Sequence, residues 1–153
     1  MSFILSNLYL ILTICAILHV LEEFVFPGGF AKNFKAMVSS FGFNISNSQI
    51  LLINILFFTL VFIVLIWHNE LPIIALSAIF LVGINGILHV LTSIRLHRYF
   101  PGLITGALLY IPLSVITYLN VHGDFKLKAL LLALALHAVP FIVILTGKHF
   151  TKK

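Results

Sequence analysis

Ile50-Leu51-Leu52-Ile53-Asn54-Ile55-Leu56-Phe57-Phe58-Thr59-Leu60-Val61-Phe62-Ile63-Val64-Leu65-Ile66-Trp67 runs for 18 residues without a charge. A stretch of that length and polarity is what a bilayer-crossing helix requires. On either side lie four more apolar stretches, at about 3–26, 71–94, 103–119 and 127–145. The whole chain has 153 residues, 61% of them hydrophobic and 8% charged, with a mean hydropathy of +1.20. Soluble domains run nearer half apolar and about a quarter charged. This composition excludes a soluble enzyme, a disordered tail and a nucleic-acid binder, despite the formal charge of +5. It predicts an all-α integral membrane bundle, one domain over residues 1–153, with five transmembrane helices plus one short interfacial helix. The first stretch lacks a basic start and an A-x-A cleavage site, so it is expected to be retained rather than removed as a signal peptide. A single cysteine, Cys15, rules out a disulfide within one chain.

The one long connection, Pro27 to Gln49, begins with the helix-breaking Pro27-Gly28-Gly29. Beyond it Phe30, Phe34, Met37, Val38 and Phe41 fall on one helical face, with Lys32, Lys35 and Ser39 mostly off it. That pattern predicts a helix lying in the membrane interface, either a plain anchor or a cover over a site reached from lipid. With five crossings, seven of the nine basic residues (Lys32, Lys35, Arg95, Arg98, Lys148, Lys152 and Lys153) share one side, leaving Lys126 and Lys128 on the other. The positive-inside rule then puts the N-terminus outside and the C-terminus inside.

Ionisable residues inside hydrocarbon are costly and usually functional. Glu22 and Glu23 are two of the four acidic residues, and His19 precedes them at spacings of three and four, on the same part of a helix. In the third stretch Asn85 precedes His89 by one turn, and His137 lies mid-way along the fifth, three residues before Pro140. Helix rise puts His19 about 12 Å and His89 about 9 Å from the ends of their helices. The first, third and fifth stretches run in the same direction, so these groups, with Asn54, are expected at one level in the cytoplasmic half. Bland alternatives exist: the asparagines as interhelical glue, His137 as a cap for carbonyls freed by Pro140, and the glutamates as a boundary mark.

His19-Val20-Leu21-Glu22-Glu23 resembles the motif of the HXXEE family of small bacterial integral membrane proteins. Asn85-Gly86-Ile87-Leu88-His89 is similar to that family's NxxxH motif, and Tyr99-Phe100-Pro101-Gly102 to its YxPG motif. The resemblance implies that His19, Glu22, Glu23, Asn85, His89 and Tyr99 belong to the family's characteristic set, and a location in the bacterial cytoplasmic membrane. It implies no activity.

Carboxylates with imidazoles suit Zn²⁺ or an iron or manganese centre. The expected metal ligands are His19, Glu22, His89 and His137, with His19, Glu22 and Glu23 as catalytic groups. Whichever glutamate is not a ligand is expected to act as general base toward a metal-bound water. Asn54, Asn85, Arg95, Arg98 and Tyr99 are expected to bind substrate, the arginines through the head of an amphiphile. Gly102 and Gly106 form a GxxxG read as close packing. The expectation is a metal-dependent hydrolase acting on a lipid-like substrate. The alternatives are a metal-free acid/base isomerase or a non-catalytic protein, either a proton-coupled carrier or a small binding subunit. Polar residues toward the other face, Asn7, Thr13, Ser114 and Thr117, form only a thin uncharged trail, which favours a one-sided site.

Overall fold

The computed structural model describes residues 7–150, with side chains up to Thr146. Residues 3–6 of the first stretch, and Lys152 and Lys153, lie outside the described residues. The order is α1 (Leu8–Phe24), α2 (Phe30–Ser40), α3 (Asn47–Trp67), α4 (Pro72–Leu96), α5 (Leu103–Asn120) and α6 (Phe125–Thr146). Among the described residues, α3 to α6 are the four helices long and apolar enough to cross a membrane. This corrects the expectation of five. Helix α1 has 17 described residues, which at 1.5 Å each reach about 25 Å, short of a hydrocarbon core of about 30 Å. Its last turn is also occupied by Glu22 and Glu23.

Helix α4 is the centre of the bundle. Its Ala75, Ala78, Ile79 and Val82 form the main core with Leu8, Leu12 and Cys15 of α1, Val64 of α3, and Tyr110 and Leu113 of α5. On another face, Leu76 and Phe80 pack on Ala129 and Ala133 of α6, where two small residues one turn apart let the backbones approach. Closest of all is the crossing with α5. A Cβ on Gly86 would lie 2.7 Å from the Gly106 carbonyl oxygen, so only glycine fits there.

Two prolines shape the helices that cross α4. Pro112 follows a π-helical turn at Gly106–Tyr110. A proline ring cannot lie under the carbonyl four residues back, and widening the preceding turn relieves that clash. Pro140 instead follows an interruption of α6, whose helical runs Phe125–Leu136 and Val139–Phe150 meet at a turn over His137 and Ala138.

Helix α2 forms where the periodicity predicts it, but its phenylalanine stripe turns toward the protein rather than to lipid. Phe30 and Phe34 stack with ring centroids 5.0 Å apart. With Val38 they pack around Ile45, Ile50 and Ile144, and Phe41 alone of the stripe is well exposed. Ser46 then starts α3 with a reciprocal cap, its hydroxyl accepting from Gln49 N while Gln49 Oε1 accepts from Ser46 N.

Candidate functional site

The buried stripe of α1 carries Cys15, His19 and Glu23 at successive four-residue steps, facing the end of α4. Glu23 Oε1 lies 3.4 Å from His19 Nε2 and 3.3 Å from His89 Nε2. The two imidazoles meet edge to face, centroids 4.9 Å apart. All three residues are buried, and one potential ligand atom from each lies within 4.8 Å of the other two. His19, Glu23 and His89 could therefore hold one metal ion.

Glu22 has a different place from the one expected. Its Oε1 accepts from Tyr99 OH (2.6 Å), Ile104 N (2.9 Å) and Gly102 N (3.2 Å). Its Oε2 accepts from Thr105 N (2.7 Å) and Thr105 Oγ1 (2.5 Å). With five donors the carboxylate is saturated, and it sits at the first turn of α5, where free N–H groups favour an anion. So Glu22 clamps residues 99–105 rather than joining the histidines, and a carboxylate stabilised this way is a poor general base. Partial burial and the hydrogen bond to Glu22 push the Tyr99 phenol well above its ordinary range, keeping it a donor.

Every residue of the 99–102 motif now has a task. Tyr99 donates to Glu22, Phe100 N donates to Ser93 Oγ at 3.1 Å, and Pro101 is buried in the turn. Gly102, at φ +94°, donates to Glu22 and lies against the imidazoles. A Cβ there would come within 2.5 Å of His89 Cε1 and 2.9 Å of His19 Cε1.

Thr105 decides the tautomer of His19. Its single hydroxyl proton goes to Glu22, so at 2.7 Å the contact with His19 Nδ1 requires the imidazole to donate. In a neutral ring Nε2 then carries the lone pair, and Asn85 Nδ2 lies 3.2 Å from it as a donor. Metal-binding histidines are commonly oriented in this way, by a hydrogen bond on the far nitrogen.

Aromatic rings enclose the cluster. Phe30 of α2 lies 6.0 Å from the His89 ring, Phe100 lies 5.6 Å from it, and the fully buried Tyr110 lies 4.4 Å from His19. Among the described residues, three buried side-chain polar atoms have no hydrogen-bond partner: His89 Nδ1, Tyr110 OH and His137 Nδ1.

The remaining expected residues scatter. His137 is not in the cluster; it sits at the break of α6 ahead of Pro140. Its unpartnered Nδ1 does not cap a carbonyl freed by that proline. Asn54 donates to Ile50 O of its own helix at 3.0 Å and lines an apolar groove of about 820 Å³ along α3. Arg95 and Arg98 border a separate cleft beside α2. Thr105 and Tyr110 were not expected as site residues, and Phe30 was expected only as part of a helix that could cover one. Thr105 could have been noticed as a lone hydroxyl in the first turn of an apolar helix, whereas Tyr110 gives no such signal.

The family described as "Protein of unknown function with HXXEE motif" matches residues 10–117. The chain belongs to the HXXEE family. That match takes in His19, Glu22, Glu23, Asn85, His89, Tyr99, Thr105 and Tyr110, and it stops before His137. The HXXEE signature thus divides into one glutamate for the histidines and one for the 99–105 turn. No curated protein and no solved structure matches the chain.

Proposed function

We propose that this HXXEE protein is an integral membrane metalloenzyme, with His19, Glu23 and His89 holding a divalent ion, that hydrolyses a lipid-like substrate. One observation carries the reading. Thr105 makes His19 Nδ1 the donor, so in a neutral ring the Nε2 lone pair lies 3.4 Å from the Glu23 carboxylate, and a cation between them removes that repulsion. Two imidazoles and one carboxylate suit Zn²⁺, iron or manganese. When bound, such an ion would supply a water acidic enough to act as a nucleophile near neutral pH. The chain's own part is to orient His19 through Thr105 and Glu22, and to exclude bulk water with Phe30, Phe100 and Tyr110. Four apolar helices give a lipid-like substrate its route to the site.

Full-length protein purified without a histidine tag should contain about one equivalent of a divalent metal by elemental analysis. His19→Ala, Glu23→Gln and His89→Ala should each lose it, and His137→Ala should keep it. Protein that holds no metal on reconstitution with Zn²⁺, Fe²⁺ or Mn²⁺ would sink the proposal. It would favour a metal-free acid/base site, for which the paired contacts of 3.3 and 3.4 Å on one carboxylate oxygen also speak. We further infer a bacterial cytoplasmic membrane location with the C-terminus inside. Helices α3 to α6 alternate in direction, so the basic residues before α3, after α4 and after α6 share a side whether or not α1 crosses. A C-terminal reporter active only outside the cytoplasm would refute this.

A further inference from the structure

The amphipathic helix α2 and the last turns of α4 face each other across a gap rather than packing together. Leu88, Leu91 and Arg95 lie on one stripe of α4, and Asn33, Met37 and Ser40 on one stripe of α2, each set spaced over seven residues. Between the stripes is an open cleft of about 330 Å³. Its walls are mainly apolar, and two guanidinium groups, Arg95 and Arg98, stand at one end. Arg95 is also held over the Phe41 ring, 5.9 Å from its centroid. None of the four acidic residues lines the cleft, and Glu22 and Glu23 are engaged with partners of their own. Lys32 and Lys35 add positive charge on α2 outside the cleft.

An apolar trough ending in two arginines is complementary to one kind of occupant, an acyl chain that ends in an anionic head. Arginine is suited to it because its planar donors match phosphate oxygens two at a time. Basic pockets between membrane helices on the cytoplasmic side recognise lipid headgroups in the same way. We propose that the cleft between α2 and the end of α4 is a binding site for an anionic phospholipid. Arg95 and Arg98 take the phosphate, and Leu88, Leu91 and Met37 carry the start of an acyl chain. The bound lipid completes the packing of α2, the helix whose Phe30 covers the histidines. The site shares no residue with the His19–Glu23–His89 cluster, and the proposal stands whether or not that cluster binds metal.

Full-length protein in detergent is offered phosphatidylglycerol and phosphatidylcholine at equal concentration, and retained lipid is counted by native mass spectrometry. The wild type should retain phosphatidylglycerol in clear excess. Arg95→Gln with Arg98→Gln should reduce that retention by roughly 30-fold, at about the strength of two basic residues near a membrane surface. Lys32→Gln with Lys35→Gln should change it far less. Ala36→Trp, which fills the cleft and leaves both arginines in place, should also abolish retention, so a folding defect in the arginine variant does not decide the matter. Equal retention of the two lipids, or full retention by the Ala36→Trp protein, would overturn the proposal. So would displacement of phosphatidylglycerol by inorganic phosphate alone, which would mark a free-phosphate site instead.

Discussion

Helices α3 and α4 are consecutive and of similar length, yet they use their side chains in opposite ways. Helix α3 is the most apolar of the four helices long enough to cross a membrane, and only 17% of its apolar window is buried inside the protein. Helix α4 contains two glycines, an asparagine, a histidine and two serines, and 56% of its window is buried. In a membrane, lipid is as apolar as leucine, so burying a leucine against protein gains little. What drives helices together is close backbone approach and the pairing of polar groups that lipid cannot satisfy. Asparagine shows the difference directly. Asn54 on α3 bonds to its own backbone, whereas Asn85 on α4 reaches across to His19. A polar residue in a span therefore does not by itself announce a site.

The contrast can be broken first at the closest crossing. Gly86→Val on α4 drives a side chain into the Gly106 carbonyl and Ile111, and should cost about 3 kcal/mol or prevent folding. Leu51→Ala on α3, at a position 61% exposed, should stay within about 0.5 kcal/mol in detergent. Thermal unfolding of the two variants side by side measures this. Comparable destabilisation would mean that α3 is packed against a partner, and the division between core and lipid-facing helices would fail.

A smaller effect sharpens the comparison at the level of single hydroxyls. Thr105 links His19 to Glu22, while Thr59 on α3 donates to Ile55 O of its own helix at 2.8 Å. Thr105→Val removes the group that orients His19 and should weaken metal affinity about 10- to 100-fold, the usual cost of losing such a supporting contact. Thr59→Val should leave it unchanged. A metal titration that finds no difference between them would show that Thr105 is structural only, and would remove the main support for the metal centre.

Much of this was legible in the residues. The apolar runs at 50–67, 71–94, 103–119 and 127–145 became α3 to α6 with ends shifted by a few residues. The phenylalanine stripe correctly marked α2, although its pattern predicts a face toward the membrane interface and most of it packs against protein. The level-matching of His19 and His89 gave a correct meeting point because helix rise converts sequence position into depth. The same reasoning brought in His137, which does not join the cluster, and the His-x-x-Glu spacing assigned the ligand role to Glu22. Depth along a helix says nothing about direction around it.

Sequence alone determined which segments are helical and apolar, because hydropathy over a run and spacing along a helix are local properties. It also determined that His19, Glu22 and Glu23 share one end of α1. Which glutamate meets the histidines depends on how α1 packs against its neighbours. Adjacent residues on a helix point about 100° apart, so one carboxylate had to face α4 and the other had to turn toward whatever packs beside it. That neighbour is the 99–105 turn, whose backbone N–H groups, Tyr99 and Thr105 converge on Glu22. The turn, some 80 residues further along the chain than Glu22, is brought there by the Gly86–Gly106 crossing, and spacing within α1 carries no information about a contact so distant.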